Sequence, residues 1–448
     1  MKKIFTAIHL WLSVPFGLII TLVCFSGAML VFEPEITEWS HPVRYFIAEV
    51  KGDPLPVAQL IETVAERIPD TLSIASVQVS SDPKRTYRIS FAGQRTAAVY
   101  VNQYTGEITD MNIAPQQTFF TVMTRLHRWL LGSFRRDGSF SLGKTAVGIS
   151  TLMFVFILIA GIVIWIPRTK KAFRRRLTVK TKYGVARFLH DLHVAGGIYA
   201  AVILLALSLT GLTYSFSWYR NGFYRVFGAD IPQMMQRGDA PAPPSTDAAA
   251  SAGLRGGDGG RSIEGSQFAG SDGGRSGGGR QFAGGDGGRS GVGRPVGIEG
   301  GGRRGGGRPV GGGGRGGEGR LSGEAGQSVA IINFHQWQKV IDSLKKQYTD
   351  YRIITIQDGR ASVSLSEYGN GRASDTFIFD QKTGDITESS YYRDADKTGK
   401  LRGWIYSIHT GSWGGTVTRI LTFLAALLGA SLPLTGYYIW IKRLLKKA

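Results

Sequence analysis

Four stretches of the chain stay apolar long enough to cross a bilayer: about Ile4 to Phe32, Thr145 to Ile166, Phe188 to Phe216 and Val417 to Ile441. At 1.5 Å of rise per helical residue, each covers the ~30 Å hydrocarbon core. The first is too long for the apolar core of a signal peptide, and Phe32-Glu33-Pro34 is a poor cleavage site, so it reads as a retained span. Between the spans the pattern changes. Val57 to Ile68 has apolar residues at helical spacing, and Ala75 to Val79, Tyr87 to Phe91 and Ala97 to Val101 alternate as strands before the turn Tyr104-Thr105-Gly106-Glu107-Ile108. The same order returns later. Trp337 to Tyr348 reads as a helix, Tyr351 to Gln357, Ala361 to Ser366 and Thr376 to Asp380 as strands, and Lys382-Thr383-Gly384-Asp385-Ile386 as the closing turn.

The spans repeat as well. His9 stands 18 residues before Gly27, and His193 stands 18 residues before Gly211. Gly161 stands seven residues before Arg168, and Gly436 seven before Arg443, with Ile-Trp-Ile in between both times. The expected fold class is therefore an α+β membrane protein, with four transmembrane helices in two span-domain-span repeats carrying two small exported α+β domains. The expected boundaries are 1–33 for the first span, 34–115 for the first exported domain, 116–140 for an interfacial helix and loop, and 141–167 for the second span. A basic loop at 168–187, the third span at 188–218, a connector at 219–237 and a linker at 238–327 follow. The second exported domain is 328–398, an interfacial segment 399–414, the fourth span 415–441 and the tail 442–448.

Charge sets the orientation. Of the net +20, Lys2 and Lys3 precede the first span. Arg168, Lys170, Lys171, Arg174, Arg175, Arg176, Lys180, Lys182 and Arg187 separate the second from the third, and Lys442, Arg443, Lys446 and Lys447 follow the fourth. No acid lies among them. Cation-rich flanks on alternate sides place both termini and the 168–187 loop in the cytoplasm, with the domains in the periplasm of a bacterial inner membrane. This distribution removes nucleic acid as the partner that so basic a chain would otherwise suggest.

Composition adds two points. Glycine, at 62 residues, is concentrated in 238–327, where Gly-x-Asp-Gly-Gly-Arg-Ser recurs every 14 residues around Asp258, Asp272 and Asp286. So few apolar residues leave the entropy of ordering uncompensated, which predicts a flexible tether rather than an RNA-binding or calcium-binding repeat. The lone Cys24 excludes a disulfide framework, a thiolate zinc site and a cysteine-ligated cluster.

Histidine is then the candidate ligand. Of seven, His9 and His193 fall near the cytoplasmic ends of the first and third spans, while His127 and His409 precede the two inward-going spans. Ionisable groups at membrane depth need partners. Two facing imidazoles suit the axial positions of a b-type haem better than tetrahedral zinc. Depth pairs His9 with His193 and His127 with His409, for two bis-histidine haems. His127 lies too far ahead of Thr145 to share its span, which places it on an amphipathic interfacial helix of about Thr118 to Leu131. Glycines 27, 161, 211 and 436 would let a ring or a neighbouring helix approach. His190 shares a helix face with His193 and is a substitute ligand. Arg125, Arg128 and Arg187 are placed for haem propionates or lipid headgroups, and His41 and His335 for solvent.

At this point the residues resemble the PepSY-associated transmembrane family, whose members include inner-membrane ferric-siderophore reductases. The carriers are Ile8-His9-Leu10-Trp11, Leu126-His127-Arg128-Trp129-Leu130, Asp191-Leu192-His193, His409-Thr410-Gly411 and the endings Tyr100 to Ile108 and Phe377 to Ile386. The resemblance covers both halves and leaves the glycine tract outside. It implies an oxidoreductase in which haem carries electrons to a ferric siderophore or another Fe(III) chelate outside the cytoplasm, with PepSY-like domains shaping the chelate site. No dinucleotide fingerprint opens a βα unit, so the electron donor is expected to be a quinol or a separate cytoplasmic reductase. The rival readings are a haem-free PepSY module that binds peptides or restrains a peptidase, and a metal or proton transporter.

Overall fold

The computed structural model describes residues 2–113, 118–132, 140–167, 169–230, 334–365 and 369–445, apart from the side chains of 95 and 96. All of these belong to a single compact unit. In chain order the first helices are α1 (Lys2–Val31), α2 (Glu33–Ser40), α3 (Pro42–Tyr45) and α4 (Val57–Ala65), followed by α5 (Phe119–Trp129), α6 (Leu142–Trp165) and α7 (Lys170–Arg176). Then come α8 (Val185–Asp191), a π-helical turn (Leu192–Gly196), α9 (Gly197–Ser215), α10 (Ser217–Val226), α11 (Phe334–Gln347), α12 (Lys397–Thr410) and α13 (Gly415–Leu445). The strands are β1 (Ile74–Ser80), β2 (Tyr87–Phe91), β3 (Gln94–Val101), β4 (Ile108–Asn112), β5 (Ile353–Gln357), β6 (Arg360–Ser364), β7 (Ser374–Phe379) and β8 (Ile386–Ser390).

Among the described residues, four helical rods are long and apolar enough to cross a membrane: α1, α6, the continuous α8–π–α9 rod and α13 with the turn before it. Helix is the form such segments must take, because hydrocarbon offers no partner to a backbone N–H or C=O. Both α1 and α9 pack against α6 and α13, so α1 and α9 stand diagonally across a four-helix bundle. Its centre is filled by Ile20, Phe154, Ile157, Leu158, Leu204 and Leu432. Polar ties fix α1 to α13. The Tyr437 hydroxyl donates to the Val14 carbonyl at 2.7 Å, Thr21 Oγ1 donates to Ala430 O at 3.1 Å, and Arg419 reaches both the Val31 carbonyl and the Glu35 carboxylate.

The strands make one antiparallel sheet in the order β4-β3-β2-β1-β5-β6-β7-β8. The sequence pattern marks one small α+β unit in each half, and the first strand of each group pairs with the other, Val77 opposite Ile356 and Val79 opposite Ile354. Each group on its own would leave that strand as an open edge, and the pairing removes both edges. Helices α4 and α11 lie side by side, Val57 N–H donating to Gln338 Oε1 at 2.9 Å, and close a shared core of Leu60, Ile61, Trp337, Ile341, Ile354 and Phe377. The two Thr-Gly turns are tight because Gly106 (φ +73°) and Gly384 (φ +72°) take the left-handed conformation glycine alone adopts freely. Each leads into a fourth strand, β4 or β8, that the sequence pattern did not reveal.

A helix is present where one was expected at Thr118 to Leu131: it is α5, with Thr118 as its N-cap and Leu130 (φ 48°) ending it in the left-handed region. The stretch read as a connector begins with helix α10, and the basic loop contains α7. The glycine tract 238–327 lies outside the described residues.

Candidate functional site

Four imidazoles meet in two pairs, and the pairs are those expected from depth. The rings of His9 on α1 and His193 in the π-helical turn stand edge to face, with centroids 6.2 Å apart. The rings of His127 on α5 and His409 on α12 have centroids 6.1 Å apart at an interplanar angle of 48°. The two levels are well separated. His9 marks one on α1, and Val23, which meets His127, marks the other 14 residues on, roughly 21 Å along the helix axis.

Every one of the four rings is held from behind in the same way. Its Nδ1 donates to a backbone carbonyl of a neighbouring helix: His9 to Ile157 at 3.0 Å, His193 to Leu432 at 3.1 Å, His127 to Val23 at 2.9 Å and His409 to Leu207 at 3.0 Å. A carbonyl only accepts, so each Nδ1 carries the proton and each Nε2 keeps its lone pair. Four residues beyond each carbonyl comes a glycine, one turn further along the same helix. A Cβ added there would stand 3.3 Å from His9 Cε1 at Gly161, 3.5 Å from His193 Cε1 at Gly436, 2.9 Å from His127 Cε1 at Gly27 and 3.0 Å from His409 Cε1 at Gly211. The carbonyl and the bare glycine together form a slot for one ring edge.

Local structure delivers the rings to these slots. The α5 helix is capped by Thr118 Oγ1, which accepts from Thr121 N–H at 3.2 Å, and brings His127 onto α1 in its last turns. The Asp396 carboxylate caps α12 by accepting from Gly399 N–H at 2.8 Å, and Gly411 (φ +74°) ends it two residues after His409. A side chain at Gly411 would meet Thr422, so the chain can turn there into α13 only as glycine. On the other level, the π-helical turn at Leu192–Gly196 carries His193. Such single widened turns re-aim one side chain within an otherwise regular helix.

An imidazole bound through Nε2 at about 2.0 Å has its ring centre roughly 3.1 Å from the metal, so two rings in line across one metal stand roughly 6.2 Å apart. Both pairs have that spacing. Among the described residues, no three His, Cys, Asp or Glu side chains gather as a metal cage.

The family described as PepSY-associated TM region matches residues 6–443, which takes in both pairs and every slot that holds them. The chain belongs to the PepSY-associated TM family. No curated protein matches it. In this PepSY-associated TM protein the other candidate residues have contacts of their own. His190 faces Asp191, its Nδ1 3.4 Å from Oδ1. Arg187 is bound by the buried Asp191 carboxylate at 2.9 Å, Arg125 donates to Leu131 O at 3.0 Å, and the Arg128 guanidinium lies 4.7 Å over the Trp129 ring. His41 and His335 are exposed, as expected.

Three participants escaped the sequence pattern. Thr435 Oγ1 lies 3.0 Å from His193 Nδ1, and Thr210 Oγ1 lies 3.2 Å from His409 Nδ1. Each threonine directly precedes its slot glycine, so the Thr-Gly dipeptide within a span was the available signal. The third is Tyr214, whose ring stands 5.6 Å from that of His409.

Proposed function

We propose that this chain is a di-haem electron-transfer protein of a bacterial inner membrane, an oxidoreductase that reduces ferric siderophores or other Fe(III) chelates on the periplasmic side. His9 and His193 would hold one b-type haem, and His127 and His409 the other. The observation that carries the reading is the pair of ring spacings, 6.2 and 6.1 Å, with every Nδ1 engaged and every Nε2 left as a donor. Haem, when bound, supplies a one-electron carrier at each membrane face.

The chain's own part is orientation and tuning. An Nδ1–H donated to a carbonyl fixes the ring's tautomer and raises the basicity of its Nε2. The slot glycines keep each ring against its helix. Tyr214 lies at the protein surface beside His409. For the substrate, hard oxygen donors hold Fe(III) far better than Fe(II), so one delivered electron loosens the chelate. The donor on the cytoplasmic side would be a quinol or a separate reductase.

The test is a reduced-minus-oxidised spectrum and haem stoichiometry of the purified protein. Two haems per chain are expected. His9→Ala and His193→Ala should each remove one redox centre, and His127→Ala and His409→Ala the other, leaving about half the haem in each case. Absence of haem bands would sink the proposal. Loss of the same centre from His9→Ala and His127→Ala would sink the pairing.

A further inference from the structure

Where α6 ends, on the membrane face that carries the basic loop, a cavity of about 990 Å³ opens between the end of the span and α7. Its floor is apolar: Trp165, Ile166 and Phe173, with the Trp165 and Phe173 rings edge to face at 5.4 Å. Its rim is cationic, formed by Lys170, Lys171 and Arg174. Two neighbouring cations are already committed to the span. Lys2 Nζ donates to the Ile166 carbonyl at 2.5 Å, and Arg176 donates to the Ile164 and Trp165 carbonyls, so together they satisfy the last turn of α6. The three rim cations, by contrast, make no ion pair among the described residues, and the segment 167–188 contains no acid. One donor in the wall is also unmatched: the Trp165 indole Nε1 is buried with no acceptor.

An apolar floor, three unpaired cations and an orphaned N–H at a membrane surface define the ligand they lack. It has an anionic, hydrogen-bond-accepting head and an apolar body. We infer that the cavity binds one anionic phospholipid from the adjoining leaflet, its phosphate held by Lys170, Lys171, Arg174 and the Trp165 N–H, with its acyl chains leaving along Ile166. Basic pockets at the ends of membrane helices take such headgroups. This inference does not depend on haem. Trp165 is four residues beyond Gly161, the glycine under His9, so the lipid would sit about one helical turn from the inner histidine pair.

The test is native mass spectrometry of the full-length protein from nanodiscs containing phosphatidylglycerol and phosphatidylcholine. The wild type should retain one phosphatidylglycerol. The triple variant Lys170→Gln, Lys171→Gln, Arg174→Gln should bind it on the order of 100-fold more weakly, at about fivefold per cation. Trp165→Phe, which keeps the ring and loses the donor, should weaken retention several-fold. Lys442→Gln with Arg443→Gln, which removes charge at the end of α13, should leave it unchanged. Equal retention of phosphatidylcholine, equal loss in the α13 variant, or full retention in a monodisperse triple variant would overturn the inference. Displacement of the lipid by millimolar inorganic phosphate would make this a free-anion site instead.

Discussion

Each imidazole of the two pairs is set by a carbonyl and a glycine on the next helix, and small differences in those slots have measurable consequences. A methyl at position 27 or 211 would stand 2.9 or 3.0 Å from its ring, tighter than the 3.3 and 3.5 Å at positions 161 and 436. Gly27→Ala and Gly211→Ala should therefore displace His127 and His409 and, on the proposed function, weaken haem retention at that pair by about 10- to 100-fold, the usual scale for a disturbed ligand support. Gly161→Ala and Gly436→Ala should disturb the inner pair less. Haem-to-protein ratios and redox titration of the four variants check the order. The histidines and their glycines were legible in the sequence because each occurs twice at one spacing. The carbonyls of Ile157, Leu432, Val23 and Leu207 were not, since any residue supplies a carbonyl and only the packing of one helix on another selects which four are used. On sequence grounds His190, three residues before His193, was a substitute ligand. The π-helical turn carries the His193 ring to the side of His9, and no residue type announces it.

At the level of elements, the joint between α2 and α13 shows how α2 is tied to the bundle. Burial pushes the Glu35 carboxyl up, but the hydrogen bond and charge of Arg419 outweigh that and hold it below the usual carboxylate range. A depressed carboxyl stabilises the fold above its unfolded pKa of about 4.3, and that contribution is lost as pH falls through the lower folded value. Thermal unfolding should thus show Glu35→Gln less stable than wild type at pH 7, by about 1 kcal/mol or less because half the carboxylate is exposed, with the gap closing below about pH 4. An unchanged gap at pH 3 would contradict the ion pair. Element legibility follows composition. The long apolar spans and the Val- and Ile-rich strands declared themselves. The fourth strands, Ile-Thr-Asp-Met-Asn and Ile-Thr-Glu-Ser-Ser, did not, because Asp, Asn, Glu and Ser are poor strand formers and these two lie at the sheet's edges, where backbone pairing with β3 and β7 does the work.

For the whole molecule, the sheet constrains topology more tightly than charge does. Because β1 pairs with β5, residues 74–112 and 353–390 must lie on one side of the membrane, which four spans with a single intervening loop allow. In a Cys24→Ala background, a membrane-impermeant maleimide applied to intact cells should label Asp53→Cys, on an exposed turn of the first half, and spare Tyr183→Cys in the basic loop. The reverse pattern would invert the molecule. That the two halves share a sheet was hidden because strand-to-strand pairing is written in backbone groups, which every sequence has. The seam has a further consequence for how the protein is made. Strand β1 ends at Ser80 and its partner begins at Ile353, about 270 residues later. At roughly 5–20 residues per second, the first half-sheet waits on the order of 14–55 s with one flank open before the ribosome supplies the strand that covers it. Each nascent chain therefore passes through an interval in which β1 offers itself to any extended peptide nearby, and two chains emerging side by side can satisfy each other's seams by exchange.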